Sequence, residues 1–140
     1  LGRRGGRAAA VPLVAAAVAC GGGHGPRDLV FGEDTCGQCR MTISEARFAG
    51  QVTTARGTVR TFDSIECLTA FVLALPAGTP PRGVWVGDYA AEGAWLDATR
   101  AVYVHGGTLQ SPMGRALAAF PDSAAARAHR SAQGGDLLDW

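Results

Sequence analysis

Two cysteines and a methionine fall within six positions in "TCGQCRMTI", residues 35–43. Sulfur that dense supports a few kinds of chemistry. A structural zinc site asks for four Cys/His ligands, usually as two close pairs. Here there is one C-x-x-C, and only Cys67 with a histidine is left to complete a set. A redox pair places its reactive thiolate at a helix N-terminus. Thr42 and Ile43 follow the second cysteine instead, and β-branched residues do not favour a helix start. A plain Cys36–Cys39 disulfide is a further reading. The last is a soft metal ion: thiolate and thioether sulfur select Cu(I), and two or three such ligands suffice. A thioether has no proton to lose and cannot form a disulfide, so Met41 beside the cysteines suits a copper site where thiols are oxidised.

The second methionine, Met113, sits in "SPMG" between a stiffening proline and a small glycine. A lone methionine otherwise serves as a core gap-filler. Cys67 reads as a small buried hydrophobe on a helix. His105 closes a strand and reads as a surface residue, His129 as a solvated helix residue, and His24 as part of a linker. Asp63, Asp88, Asp97 and Asp122 fall at element boundaries and fit caps and turns better than a paired-carboxylate site. No phosphate loop and no Ser-His-Asp motif is present, so the sequence predicts a binding protein, not an enzyme. A net charge of +1 gives no reason to expect nucleic acid.

The elements that must position these sulfurs follow from periodicity. Residues 47–55 suit a strand, "RGT" a turn, and "VRTF" at 59–62 the returning strand. Asp63 and Glu66 have capping-box spacing. Ile65, Leu68, Val72 and Leu75 then give a helix one apolar face, stopped by Pro76. "VWVGDY" at 84–89 is another strand. The order repeats with strands over 101–107 and 114–120, a helix over about 122–133 and a final strand in "DLLDW". The sequence thus predicts an α+β fold of two pseudo-repeated ββαβ units, about 34–89 and 90–140. Neither is large enough to bury a core alone, so the two should share one.

Ahead of this domain, Arg3, Arg4 and Arg7 precede the apolar run "AAAVPLVAAAVA" at 8–19. That run is shorter than the roughly twenty residues that span a bilayer and reads as a cleaved signal peptide, residues 1–19. Small residues lead into Cys20 as in a bacterial lipobox, which makes Cys20 the expected lipidation site and anchor. Residues 20–33, rich in glycine, read as a flexible linker. With Cys20 acylated, Cys36, Cys39 and Cys67 remain, so at least one thiol stays outside any internal disulfide.

"CGQCRMTI", "TFDSIECLTAF", "VGDYA…WLDATRAVYV", "SPMGRALAAF" and "AQGGDLLDW", in this order, resemble the NosL family of exported lipoproteins. The resemblance runs from about Asp34 to the C-terminus. It implies a fold of paired ββαβ units related to that of organomercurial lyase. It also implies a Cu(I) chaperone on the periplasmic face of a membrane, working with a membrane copper-transporter complex. The expected client is nitrous oxide reductase or another cuproenzyme. Family members carry a C-G-M core; here Cys39 and Met41 match its sulfurs and Arg40 replaces the glycine, a cation that would favour thiolate at Cys39. Met113 matches the family's methionine before glycine. The expected metal ligands are therefore Cys39, Met41 and Met113, with Cys36 as a ligand or as a disulfide partner for Cys39. A periplasmic C-x-x-C thiol-disulfide oxidoreductase is the alternative function.

Overall fold

The computed structural model describes Gly2 and residues 25–140. The expected signal peptide, lipidated Cys20 and His24 lie outside the described residues. After a single 3-10 turn at Ala46–Phe48, the chain forms β1 (Gly50–Thr53), β2 (Val59–Phe62), α1 (Ile65–Leu73), β3 (Gly83–Gly87) and β4 (Trp95–Asp97). It continues through β5 (Val102–His105), β6 (Leu117–Phe120), α2 (Ser123–Gln133) and β7 (Asp136–Leu138).

Two antiparallel sheets result, in the orders β2-β1-β3-β4 and β6-β5-β7. In both, the first strand of the unit is central, its hairpin partner lies on one side and the strand after the helix on the other. That shared topology is the structural form of the repeat. β4, absent from the sequence reading, pairs with β3 from Asp97 opposite Trp85 to Trp95 opposite Gly87. It carries the first sheet past the boundary expected near residue 89. Three residues are too few for a periodic signal, so only the pairing reveals this strand. The sheets meet where Tyr89 N–H donates to the Ala119 carbonyl at 2.9 Å, beside a parallel bridge between Asp88 and Ala119.

The second sheet shows why neither unit stands alone. Side chains alternate along a strand, so Tyr103 and Ala119 face one way, and Val104, Ala118 and Phe120 the other. The first pair joins Val52, Phe62, Ile65, Leu68 and Val86 of the first unit under α1. The second set joins Ala126 of α2 and Phe48, again from the first unit. The shared interior thus contains two hydrophobic clusters, each drawing on both units. α1 contacts β1 and β2 of one sheet and β6 of the other. Gly50, where an added Cβ would lie 2.9 Å from Leu68 Cδ2, lets α1 settle close on β1.

Three sequence expectations change. The N-cap of α1 is Ser64, not Asp63: Ser64 Oγ accepts from Cys67 N–H at 3.2 Å. Glu66 then has no reciprocal capping role, and its Oε1 accepts from Ser111 Oγ at 2.7 Å. His129 is not solvated; its ring packs 5.2 Å from Tyr89 and 5.1 Å from Phe120, and burial holds its pKa below the ordinary histidine value. The linker reading extended to residue 33, yet the chain is fastened from Arg27 onward. Arg27 N–H donates to Oε1 of fully buried Gln51 at 3.1 Å, Gln51 Nε2 donates back to the Arg27 carbonyl at 2.6 Å, and the guanidinium pairs with Asp34.

Gly87 offers a test of this architecture. A Cβ there would sit 2.1 Å from the Ala46 carbonyl oxygen, which the backbone cannot yield. Gly87→Ala is expected to cost about 3 kcal/mol, the upper range for overpacking, read as a lowered urea midpoint with unchanged slope.

Candidate functional site

The C-x-x-C segment is a tight loop held at both ends. Cys36 N–H donates to the Met41 carbonyl at 2.8 Å, and Arg40 N–H to the Cys36 carbonyl at 3.1 Å. Thr35 and Thr42 form a bridge across its base. Gly37 N–H donates to the Thr61 carbonyl at 2.8 Å, which clips the loop to β2. Inside the loop, Cys39 N–H points at Cys36 Sγ at 3.5 Å. Such N–H groups aimed at sulfur favour a negatively charged or metal-bound sulfur.

The reversal that closes this loop occurs at Arg40, whose φ is 68°. The residue that replaces glycine in the sequence comparison therefore adopts a glycine-type conformation, with its side chain exposed. The expectation that its cation favours thiolate at Cys39 does not hold. Burial is the largest influence on Cys39 and pushes its thiol up, against the Met41 backbone N–H that acts in the other direction.

Facing the loop is the start of α1. Asp63, just before the cap, is 2% exposed; its Oδ2 accepts from Cys39 Sγ at 3.4 Å. Its other oxygen, Oδ1, is buried without a hydrogen-bond partner. Cys67 lies one turn on, 4% exposed. Burial pushes its thiol well above the ordinary range, with the nearby Asp63 carboxylate and Cys36 adding to the effect. One ligand atom each from Cys36, Cys39, Asp63 and Cys67 lies within 4.8 Å of the others. All three cysteines are free thiols.

The cluster borders an open cleft of about 680 Å³. Cys39, Cys67 and Glu66 of the first unit line one part, and His105, Met113 and Arg115 of the second line another. The Met113 loop is held there by Ser111, whose Oγ donates to Glu66 and accepts from Ala116 N–H at 3.0 Å.

The four residues singled out from sequence are thus placed differently. Cys36 is fully buried and Cys39 partly so, side by side. Met113 shares the cleft with Cys39 and is 39% exposed. Met41 is 50% exposed and is not among the residues lining the cleft. Sequence reasoning missed Asp63, read as a cap, and Cys67, read as core. Their four-residue spacing in "FDSIEC", which puts both near the first turn of one helix, was the available signal. His105 is exposed at the end of β5, at the cleft.

A family model for NosL matches residues 30–140. The chain belongs to the NosL family. The copper chaperone NosL from Shewanella denitrificans has a similar solved structure, with a TM-score of 0.72 at 23% identity. The match covers 82% of this chain and 92% of that one, and at that identity it shows a common fold. The search of curated proteins finds no match. The two sheets and two helices described above are accordingly the NosL fold.

Three predictions rest on the thiols and the loop. Because burial keeps Cys39 and Cys67 protonated near neutrality, a metal ion must displace protons to bind them. Apparent affinity should therefore rise with pH, by about tenfold per unit for each proton released, in anaerobic competition titrations between pH 6 and 8. The metal-free fold should behave in the opposite sense. Raised thiol pKa values mean the native state holds protons that the unfolded chain loses near pH 8.5, so stability should fall as pH climbs beyond about 8.5.

At Arg40, left-handed backbone costs an L-residue roughly 1–2 kcal/mol, against about 0.5–1 kcal/mol of extra chain entropy for glycine. Arg40→Gly is expected to preserve stability or raise it by up to about 1.5 kcal/mol in urea unfolding.

Proposed function

We propose that this NosL-family chain is a membrane-anchored metallochaperone that binds Cu(I) outside the cytosol and delivers it for metal-centre assembly in nitrous oxide reductase or another cuproenzyme. The observation that carries the reading is a single cleft lined by Cys39 of one unit and Met113 of the other. A thiol and a thioether lining one opening offer the soft donors that a monovalent ion such as Cu(I) prefers. The free thiols of Cys36 and Cys67 beside Cys39, and a neighbour in fold named a copper chaperone, support the same ion.

Cys39, Met41 and Met113 are the proposed ligands, with Cys36 beside them. Met41, half exposed, would close onto the ion from the protein's outer side. A two- or three-coordinate Cu(I) keeps a position open for an incoming ligand. Copper can then pass to an acceptor through a shared intermediate without entering water. The role is binding and delivery, and no bond of a substrate needs to be broken. The lipobox at Cys20 supports an anchor on the periplasmic face, where a membrane copper-transporter complex is the proposed source of the ion.

Anaerobic titration of the reduced chain with Cu(I), against a chromophoric Cu(I) chelator, tests this. The Cys39→Ser, Met41→Leu double variant is expected to lose at least about 100-fold in affinity, more than removal of outer partners costs a metal site. Binding as tight as the parent's would remove the proposed site.

A further inference from the structure

Cys67 is the one thiol of the cluster that the proposed ligand set leaves out, yet it is placed as a ligand. The Sγ atoms of Cys36, Cys39 and Cys67 lie within 4.8 Å of one another. With metal–sulfur distances of roughly 2.3 Å, three sulfurs around one three-coordinate ion sit about 4 Å apart. The three sulfurs are therefore already near the spacing of a trigonal site.

Burial divides the donors into two levels. Cys36 and Cys67 are 0% and 4% exposed, whereas Met41 and Met113 are 50% and 39% exposed. Cys39 and Cys67 both lie in the thiol cluster and line the cleft with Met113, but only Cys39 is of intermediate exposure, so it is the thiol that can serve both levels. We propose that Cu(I) occupies an inner position on Cys36, Cys39 and Cys67 and leaves through an outer position on Cys39 and the methionines. The inference rests on the copper reading above and assigns to Cys67 a role as third thiolate.

Two further observations fit an ion at the inner level, and one tempers it. Asp63 Oδ1 is buried at its edge with no partner, a polar atom that a packed hydrophobic interior would not leave open. Carboxylate oxygen suits hard cations, so Asp63 borders the ion and is not its ligand. Cys67 lies in the first turn of α1, whose positive end offsets gathered negative charge. The Asp63 carboxylate acts the other way and raises the cost of collecting three thiolates. The inner position is thereby kept from holding its ion irreversibly.

Loading forms three copper–sulfur bonds and passes the three thiol protons to solvent; no electron moves and the ion stays Cu(I). Outward movement breaks the bonds to Cys36 and Cys67, which regain protons, and forms bonds to thioether sulfur while Cys39 stays attached.

X-ray absorption of the reduced full chain, loaded anaerobically with less than one equivalent of Cu(I), tests the inner position directly. The expected result is three-coordinate copper with sulfur alone at thiolate distance. Cys67→Ala should lower the sulfur number and weaken affinity more than about 100-fold, beyond the roughly 10–100-fold that second-sphere changes commonly give. Should that variant fail to fold, the parent's own coordination decides. A two-coordinate parent, or a Cys67→Ala spectrum and affinity matching the parent's, overturns the inner position and leaves the chaperone reading standing. A parent that takes up no Cu(I) overturns both.

Discussion

The burial of a cysteine loop against the first turn of a helix is the constraint on which the site depends. Cys36 is inside because the loop is tied to β2 through Gly37 and to its own base through Met41. Cys67 is inside because Leu68, Ile65 and Val52 carry α1 onto the first sheet. The two meet across Asp63. The cost is two buried thiols, a partly buried third and a buried carboxylate gathered with only weak contacts among them, Cys39 N–H to Cys36 Sγ and Cys39 Sγ to Asp63. An interior built only for stability would fill that space with apolar groups, since unsatisfied polar atoms are expensive to bury.

The repeat explains how a small chain assembles a cleft as well as a core. Each ββαβ unit offers one sheet and one helix, and the second sheet has a helix on each face. Its strand ends and the loop before β6 therefore reach the same edge as the first turns of α1. His105, Met113 and Arg115 arrive at the cleft by this route. The Glu66–Ser111 hydrogen bond then fixes the second unit's loop to the first unit's helix. An ion held by donors from both units, as proposed, would make metal occupancy and the packing of the units mutually dependent.

The same logic separates the two histidines. His105 ends a strand at an open edge and is exposed. His129 lies on the face of α2 that meets Tyr89 and Phe120, and that aromatic surface removes water from its Nε2. Arg47 sits over the Tyr89 ring, 5.3 Å from its centroid. This second cluster is a packing device that joins the units away from the sulfurs.

Local pattern alone determined much of this protein. The β1–β2 hairpin, both helices and the strand–strand–helix–strand order were legible because alternation, helical spacing and turn residues such as Gly57 act over a few neighbours. The C-x-x-C-x-M segment was legible as sulfur chemistry for the same reason: its donors are close in the chain. Tertiary structure decided the rest. The identity of the α1 cap depended on which of two adjacent residues, Asp63 or Ser64, faced the helix end. The neighbours of Cys39 come from residues 24 and 28 positions further on, and no local period links a loop cysteine to a helix cysteine. Asp63 and Cys67 each have an ordinary local explanation, as a cap and as a small apolar residue. Only when β2 delivers the chain back beside the loop do they face the same point, because contact across a fold is set by packing and not by distance along the chain.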